Sequence, residues 1–397
     1  MIHRAIFLIL LGLDVLILLF LSSNVSISAH EAKLLYGDFS IVQFLTESSL
    51  IIFGNNDFAL RLPMIFFHIL STLLLYCISV KYLDDNRNRL WLVLFFILLP
   101  GVLSSAILVD SASLVIFSLL LFVYVYENFD ELYTYPLLIL FCFLDNSFIY
   151  LFASLLIFGL YKKRILYSIL NVLLLVVSII YFGFESEGSP EGHLIDTIGL
   201  YSAIFTPIIF VYLFYILYRR LLAKQVNLIW FVAAVPLLFS LLLSFRQEIV
   251  IEEFAPYLIL ALPLAAETFY ASYRVRLKMF RKRYKALFTI SLMFLFSNFV
   301  VVMLNKEFYL LIEDPSKHFA RKMHIAKDLS SELKNMNVNC IHTDDNMGMR
   351  LRFYGIQRCN DYSLIEKDID VSSSKNVTIS YRHRIIYEAF VTNINNK

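Results

Sequence analysis

Eleven apolar runs, near residues 5–22, 63–80, 90–108, 111–126, 134–145, 147–161, 165–183, 198–218, 226–244, 255–272 and 286–304, occupy most of this chain. A helix needs about 20 apolar residues to cross a bilayer, with a range of roughly 17–25. Composition agrees: the chain is 59% hydrophobic and 17% charged, with a mean hydropathy of +0.71. A soluble domain is roughly 45–50% apolar and about 25% charged. The expected fold is therefore a polytopic α-helical membrane protein of about 11 transmembrane helices.

Runs 134–145 and 147–161 are short and read as a bent hairpin around Leu144-Asp145-Asn146-Ser147. A single tilted helix there would reverse every later segment, and charge decides between the two. Cytoplasmic loops collect Lys and Arg. With an inside N-terminus, that side receives Arg4, then Lys81, Arg87 and Arg89, then Lys162-Lys163-Arg164. It also receives Arg219, Arg220, Lys224 and the run from Arg274 to Lys285, whereas the opposite short loops hold only Lys33, Arg61 and Arg246. Residues 1–29 have some features of a cleaved signal, but their apolar core of ~18 residues exceeds the usual 7–15 and Asp14 interrupts it. They are read as a retained span.

This topology predicts a membrane domain over 1–304 and a small outer domain over 305–397, on the periplasmic side of a bacterial inner membrane. The outer domain reads as α/β, with a helix over Ser316–Asn335 and strands at Val338–His342 and Val377–Tyr381. Cys340 and Cys359 fall in it and can pair or remain free thiols. Between the first two spans, Ser28 to Leu62 reads as short amphipathic outer-loop helices.

The residues able to carry chemistry are few. Ser28 with Glu31 three residues later forms a capping box, and the same Glu31, beside His30, is a candidate base facing a water-filled cavity. Asp110, at the outer end of the third span, either caps a turn with Ser111–Ser113 or joins that site. Carboxylates at membrane depth are costly and usually face a cavity; Asp14, at mid-membrane, fits a partner inside the bundle. Arg246 can grip a phosphate through paired hydrogen bonds or pair with Glu248 or Glu252. Arg61, a second candidate substrate ligand, fits snorkelling at the start of its span. His318, His324 and His342 lack metal-ligand spacing, and no Walker loop, nucleophile elbow or Cys-x-x-Cys is present. No cofactor is called for; a divalent metal is compatible with the acids but not indicated. A net charge of +2 gives no reason to expect nucleic acid.

These residues resemble the GT-C membrane glycosyltransferases, in the aminoarabinose-transferase and protein O-mannosyltransferase branch. His30-Glu31-Ala32 stands where that branch shows Asp-Glu-Ala in the first outer loop. Gly54-Asn55-Asn56-Asp57-Phe58-Ala59-Leu60-Arg61-Leu62-Pro63 is similar to its "G…alRlP" phrase before the second span. Pro100 and Asp110 match a proline in the third span followed by an outer-end aspartate, and Arg246 to Pro263 is a looser match. The likeness covers roughly residues 5–275. It departs from the branch at His30, which replaces an acid, and at Val42-Gln43-Phe44, which replaces a Lys-Pro-Pro phrase.

The resemblance implies an enzyme that moves a hexosyl or pentosyl group from a polyprenyl-phosphate donor to a lipid, glycan or protein acceptor on the outer face, with inversion. Glu31 is then the expected base with His30 as its rival, Asp110 orients the acceptor and Arg246 holds the phosphate. Two other functions fit a polytopic chain. A flippase or transporter of lipid-linked saccharides predicts internal repeats, which the sequence lacks. An O-antigen ligase or polymerase type of enzyme would rely on outer arginines, and Arg246 alone is thin support.

Overall fold

The computed structural model describes residues 2–183, 192–365 and 375–393. The first seven helices are α1 (Ile2–Asn24), α2 (Ala29–Tyr36), α3 (Ile41–Phe53), α4 (Asp57–Tyr82), α5 (Asn86–Leu98), α6 (Pro100–Ile107) and α7 (Ala112–Asn128). The chain divides into two compact units. The first comprises Met1–Val15, Met64–Ala106 and Ser111–Phe299; the second comprises Leu16–Pro63, Ile107–Asp110 and Val300–Lys397.

The polytopic helical architecture expected from composition is present. Among the described residues, five helices are long and apolar enough to cross a bilayer: α1, α4, Ile165–Phe182, Ile251–Val275 and Lys278–Met303. Two bent pairs raise the total to seven. Both bends have local causes. α5 and α6 meet at 60° where Pro100, lacking an N–H and crowding the preceding residue, cannot continue α5. Leu194–Phe205 meets Pro207–Leu222 at 106° around Thr206, whose φ is +64°. The remaining apolar runs make shorter helices: α7, Phe148–Tyr161 and Leu228–Leu243 have 17, 14 and 16 residues. At 1.5 Å per residue these rise roughly 21–26 Å, short of a hydrocarbon core of about 30 Å. Among the described residues the eleven runs thus give five helices with the length and composition of a span, or seven if each bent pair counts as one, and a set of shorter apolar helices.

Within the first unit, Phe148–Tyr161 packs on Ile165–Phe182 and on Leu228–Leu243. Gly159 permits the first approach, since a Cβ there would stand 2.5 Å from Ser168 Oγ. Small residues at such crossings let helix backbones come close where no hydrophobic force drives them together. The break expected at residues 144–147 is present between Thr134–Phe141 and Phe148–Tyr161.

The second unit joins the first outer loop to the tail. α2 and α3 each begin with a complete capping box, from Ser28 with Glu31 and from Ser40 with Gln43. α3 stops at Gly54, whose φ of +82° disfavours any residue with a Cβ. In the tail, β1 (Tyr362–Ile365), β2 (Lys375–Tyr381) and β3 (Arg384–Asn393) form an antiparallel sheet in the order β1-β3-β2. The helix Lys322–Asn335 packs on β2 and on the helix Asp345–Phe353, around a core that includes Ile325, Leu329, Leu333, Leu351 and Val377. Cys340 and Cys359 are bonded.

Two tail expectations need correction. The helix starts at Lys322 rather than Ser316, after a 3-10 turn at Pro315–Lys317. Val338–His342 makes only the bridges Cys340↔Gln357 and His342↔Ser363. Its alternation suits a strand, but the chain opposite supplies isolated partners instead of a ladder.

Candidate active site

The second unit is built around one ion pair. The Ser28 hydroxyl accepts from Glu31 N–H (3.1 Å), and Glu31 Oε2 accepts from Ser28 N–H (2.7 Å), which sets the start of α2. The same carboxylate meets Arg61, from the first turns of α4, side-on: Arg61 Nε donates to Oε1 and Nη2 to Oε2, each at 3.1 Å. Arg61 Nη1 donates to Ser22 O (2.9 Å) and Val25 O (2.6 Å), and Nη2 also reaches Ser26 O at 3.2 Å. Those carbonyls lie at the end of α1, where a helix leaves acceptors unpaired. A guanidinium has five N–H groups, and all five are used. Glu31 Oε1 takes a fourth donor, Val109 N–H at 3.1 Å, so all of the roughly four lone-pair positions of a carboxylate are filled.

This arrangement corrects two expectations. Glu31 does not face a water-filled cavity; its side chain is 1% exposed. Arg61 does not snorkel: it is fully buried and keeps no N–H for a substrate. Burying a charge pair costs several kcal/mol per ion unless every remaining bond is satisfied, and here they are.

Around the pair, Val109 ties the turn that carries Asp110 to Glu31, and Asp110 is itself buried. The two acids expected to converge therefore share a neighbourhood. His30, next along α2, is exposed, and its ring makes no hydrogen bond among the described residues. Asp57, at the start of α4, accepts from Tyr354 OH at 2.5 Å and from Lys327 Nζ at 2.7 Å. Ile27 N–H donates to the same Tyr354 oxygen (3.0 Å), and Arg350 Nε donates to Ile27 O (2.9 Å). Burial, then the Asp57 carboxylate, pushes the Tyr354 phenol up, while burial lowers the Arg350 guanidinium. Tail residues thus clamp the loop that carries His30.

The first unit has polar groups of another kind. Asp14 Oδ2 lies 2.8 Å from His68 Nε2, with both residues buried, while Asp14 Oδ1 has no hydrogen-bond partner among the described residues. This is the bundle partner expected for Asp14. Glu253 accepts from Asn146 Nδ2 (3.0 Å) and Tyr150 OH (3.3 Å), beside a cavity of about 260 Å³ that Gln247 and Glu248 also line. Arg246, in the same segment, is exposed and makes no ion pair among the described residues, so of its two readings the pairing with Glu248 or Glu252 is not seen.

No protein-family model matches the chain, and no curated protein does either. Solved structures match along its whole length. ArnT from Cupriavidus metallidurans in the apo state superposes with a TM-score of 0.58 at 11% identity, over 99% of each chain. The same protein bound to undecaprenyl phosphate gives 0.58 at 10% identity, over 98% of this chain and 97% of that one. The fold is that of ArnT.

ArnT is an aminoarabinose transferase and a GT-C enzyme, so the branch that the outer-loop phrases resemble is the one whose fold the chain adopts. Of the expected site residues, His30, Glu31, Arg61 and Asp110 lie in the second unit and Arg246 in the first. Sequence reasoning missed Asp57, Tyr354, Lys327 and Arg350 as partners of the outer loop. An aspartate opening a helix reads as a cap, and nothing marks a tyrosine almost 300 residues later as its donor. Asn146, Tyr150 and Glu253 were missed as a group, although Asn146 and Glu253 sit at breaks between apolar runs on the side assigned to the exterior and Tyr150 lies in the first turn of the helix Phe148–Tyr161.

Proposed function

We propose that the chain is a membrane glycosyltransferase that takes a sugar from a polyprenyl-phosphate carrier and passes it to a lipid, glycan or protein acceptor on the outer face of the inner membrane. The observation that carries this reading is the ArnT fold over the full chain, in a protein also solved with undecaprenyl phosphate bound. The charge bias supports the sidedness: the loop with His30 lies on the side poor in Lys and Arg.

The chemistry is a single displacement. An acceptor hydroxyl attacks the anomeric carbon, the bond to the carrier phosphate breaks on the opposite face, and the hydroxyl proton passes to a base. Glu31 suits that role poorly, because each of its lone pairs already holds a donor and taking a proton would break the pair with Arg61. His30 suits it better. Its imidazole is exposed and free, and it is held in place by the saturated residue that follows it. Glu31 and Arg61 then act as positioning residues. Asp110 orients the acceptor hydroxyl. Arg246 remains the candidate for the carrier phosphate on its chemistry, since an unpaired guanidinium matches phosphate in two-point geometry.

The test is direct. Purified full-length chain, given a polyprenyl-phosphate sugar labelled in the sugar, is expected to release polyprenyl phosphate and transfer the label. His30→Ala should lower the rate by roughly 10²–10⁴, the usual worth of a positioned base, with an unchanged yield of folded protein. Release from no polyprenyl-phosphate sugar would overturn the function. A His30→Ala rate within about tenfold of the parent, ~1.4 kcal/mol of barrier, would return the role of base to Glu31 or Asp110.

A further inference from the structure

Two hollows of the first unit adjoin at Trp91, Phe269, Tyr270 and Phe288, which line both. One is a narrow apolar slot between helices, walled by Leu92, Phe95, Leu213, Leu262 and Ala265. The other is a cavity of about 850 Å³ at the loops following α4 and preceding the span Lys278–Met303. Five cations line it, Lys81, Arg87, Arg274, Arg281 and Lys285, against three acids, Asp84, Asp85 and Glu267. One acid is already taken, because Glu267 accepts from Arg220, which lies outside the cavity lining. Arg274 reaches Asp84 only at 3.9 Å, and Arg87 and Lys285 make no ion pair among the described residues.

We infer that these adjoining hollows together bind an anionic phospholipid of the surrounding membrane, with an acyl chain in the slot and the phosphate between Arg87 and Lys285. The inside bias of positive charge explains cations on this face, but not their gathering around a cavity that borders an apolar slot. Basic pockets between membrane helices on the cytoplasmic side are a recurrent setting for acidic lipid headgroups. Charge-assisted bonds to phosphate oxygens would satisfy the two unpaired cations, and the aromatic junction sits where headgroup gives way to chain, the depth that Trp and Tyr favour. The inference holds whether or not the chain transfers sugar.

The chain has two tryptophans, so Trp230→Phe leaves Trp91, at the junction, as the sole emitter. In mixed micelles, phosphatidylglycerol brominated on its acyl chains should quench Trp91 at a mole fraction at least about tenfold lower than phosphatidylcholine with the same chains. Arg87→Gln with Lys285→Gln should erase that preference. Ala265→Phe, which fills the slot, should weaken quenching by both lipids. Native mass spectrometry of the unsubstituted chain, stripped of lipid and offered the two lipids together, should show selective retention of phosphatidylglycerol. Equal quenching, a preference that survives the double substitution, or no selective retention would each overturn the proposal. Loss of the preference on adding millimolar glycerol phosphate would assign the cavity to a soluble phosphate and overturn it as well.

Discussion

Glu31 and Asp14 are both buried carboxylates with a basic partner, and they are satisfied in opposite ways. Glu31 holds four donors, two of them from a guanidinium whose remaining N–H groups are spent on the end of α1. Asp14 holds one imidazole, and its second oxygen has no partner among the described residues. A carboxylate whose every lone pair is used fastens chain segments together. One that is half satisfied holds a single contact and fastens little. The contrast extends to the two units. The second is tied by charge, by a phenol–carboxylate bond and by a disulfide; the first relies on apolar packing with scattered polar contacts.

The largest expected effect falls on the fastened pair. Arg61→Met leaves Glu31 buried and unpaired, and removing one member of a buried pair typically costs about 3–5 kcal/mol. A much lower yield of folded protein and a depressed thermal midpoint in detergent should follow. Adding Glu31→Gln, which removes the stranded charge, should recover part of the loss; equal damage in the single and double variants would refute fastening by charge. Next comes the disulfide, which closes a loop across a sequence separation of 19. Cys340→Ser, or reductant on the parent, should cost about 3 kcal/mol, read as faster proteolysis of the tail while the first unit stays resistant. Loss of resistance in both at once would show that the units do not respond separately.

A smaller effect concerns pH. Burial lowers His324 to about 4, with lesser contributions from Lys306 and His318. The folded tail therefore keeps this ring neutral at a pH where the unfolded chain, titrating near 6.5, takes up a proton. Stability from this residue is fully present above about pH 6.5 and is lost as the pH falls toward 4, on the order of 2 kcal/mol. Hydrogen exchange of Lys322–Asn335 should rise over that window, and His324→Phe should flatten the rise. Smallest of all should be Asp14→Asn. The amide can still meet His68, so thermal stability should move by no more than about 1 kcal/mol. A loss matching that of Arg61→Met would erase the contrast between the two carboxylates.

Much of the fold is legible in the chain. Apolar runs mark the helices, Pro100 and Pro207 mark the bends, and the spacing of Ser28 and Glu31 gives the capping box that α2 adopts. The span number is less legible, because a run can be apolar for its whole length yet be cut by a turn into a helix too short to cross. The site divides the same way. Glu31, His30 and Asp110 stand out as polar groups at helix ends. Arg61 was misjudged, because an arginine opening an apolar run has the pattern of a snorkelling residue, and only the fold brings Glu31 and the carbonyls of α1 within its reach. Tyr354, Lys327 and His68 carry no local signal, since each is defined by a partner tens or hundreds of residues away.

The hydrogen bond from Val109 to Glu31 spans 78 residues, and that from Tyr354 to Asp57 spans 297. During synthesis, then, the first outer loop leaves the ribosome long before it can settle. Its carboxylate waits for the third apolar run to be made, and its aspartate waits until Tyr354, deep in the tail, has been made. A chain stopped before residue 354 would carry His30 on a loop still missing that clasp, so a residue made late completes the surroundings of one made early.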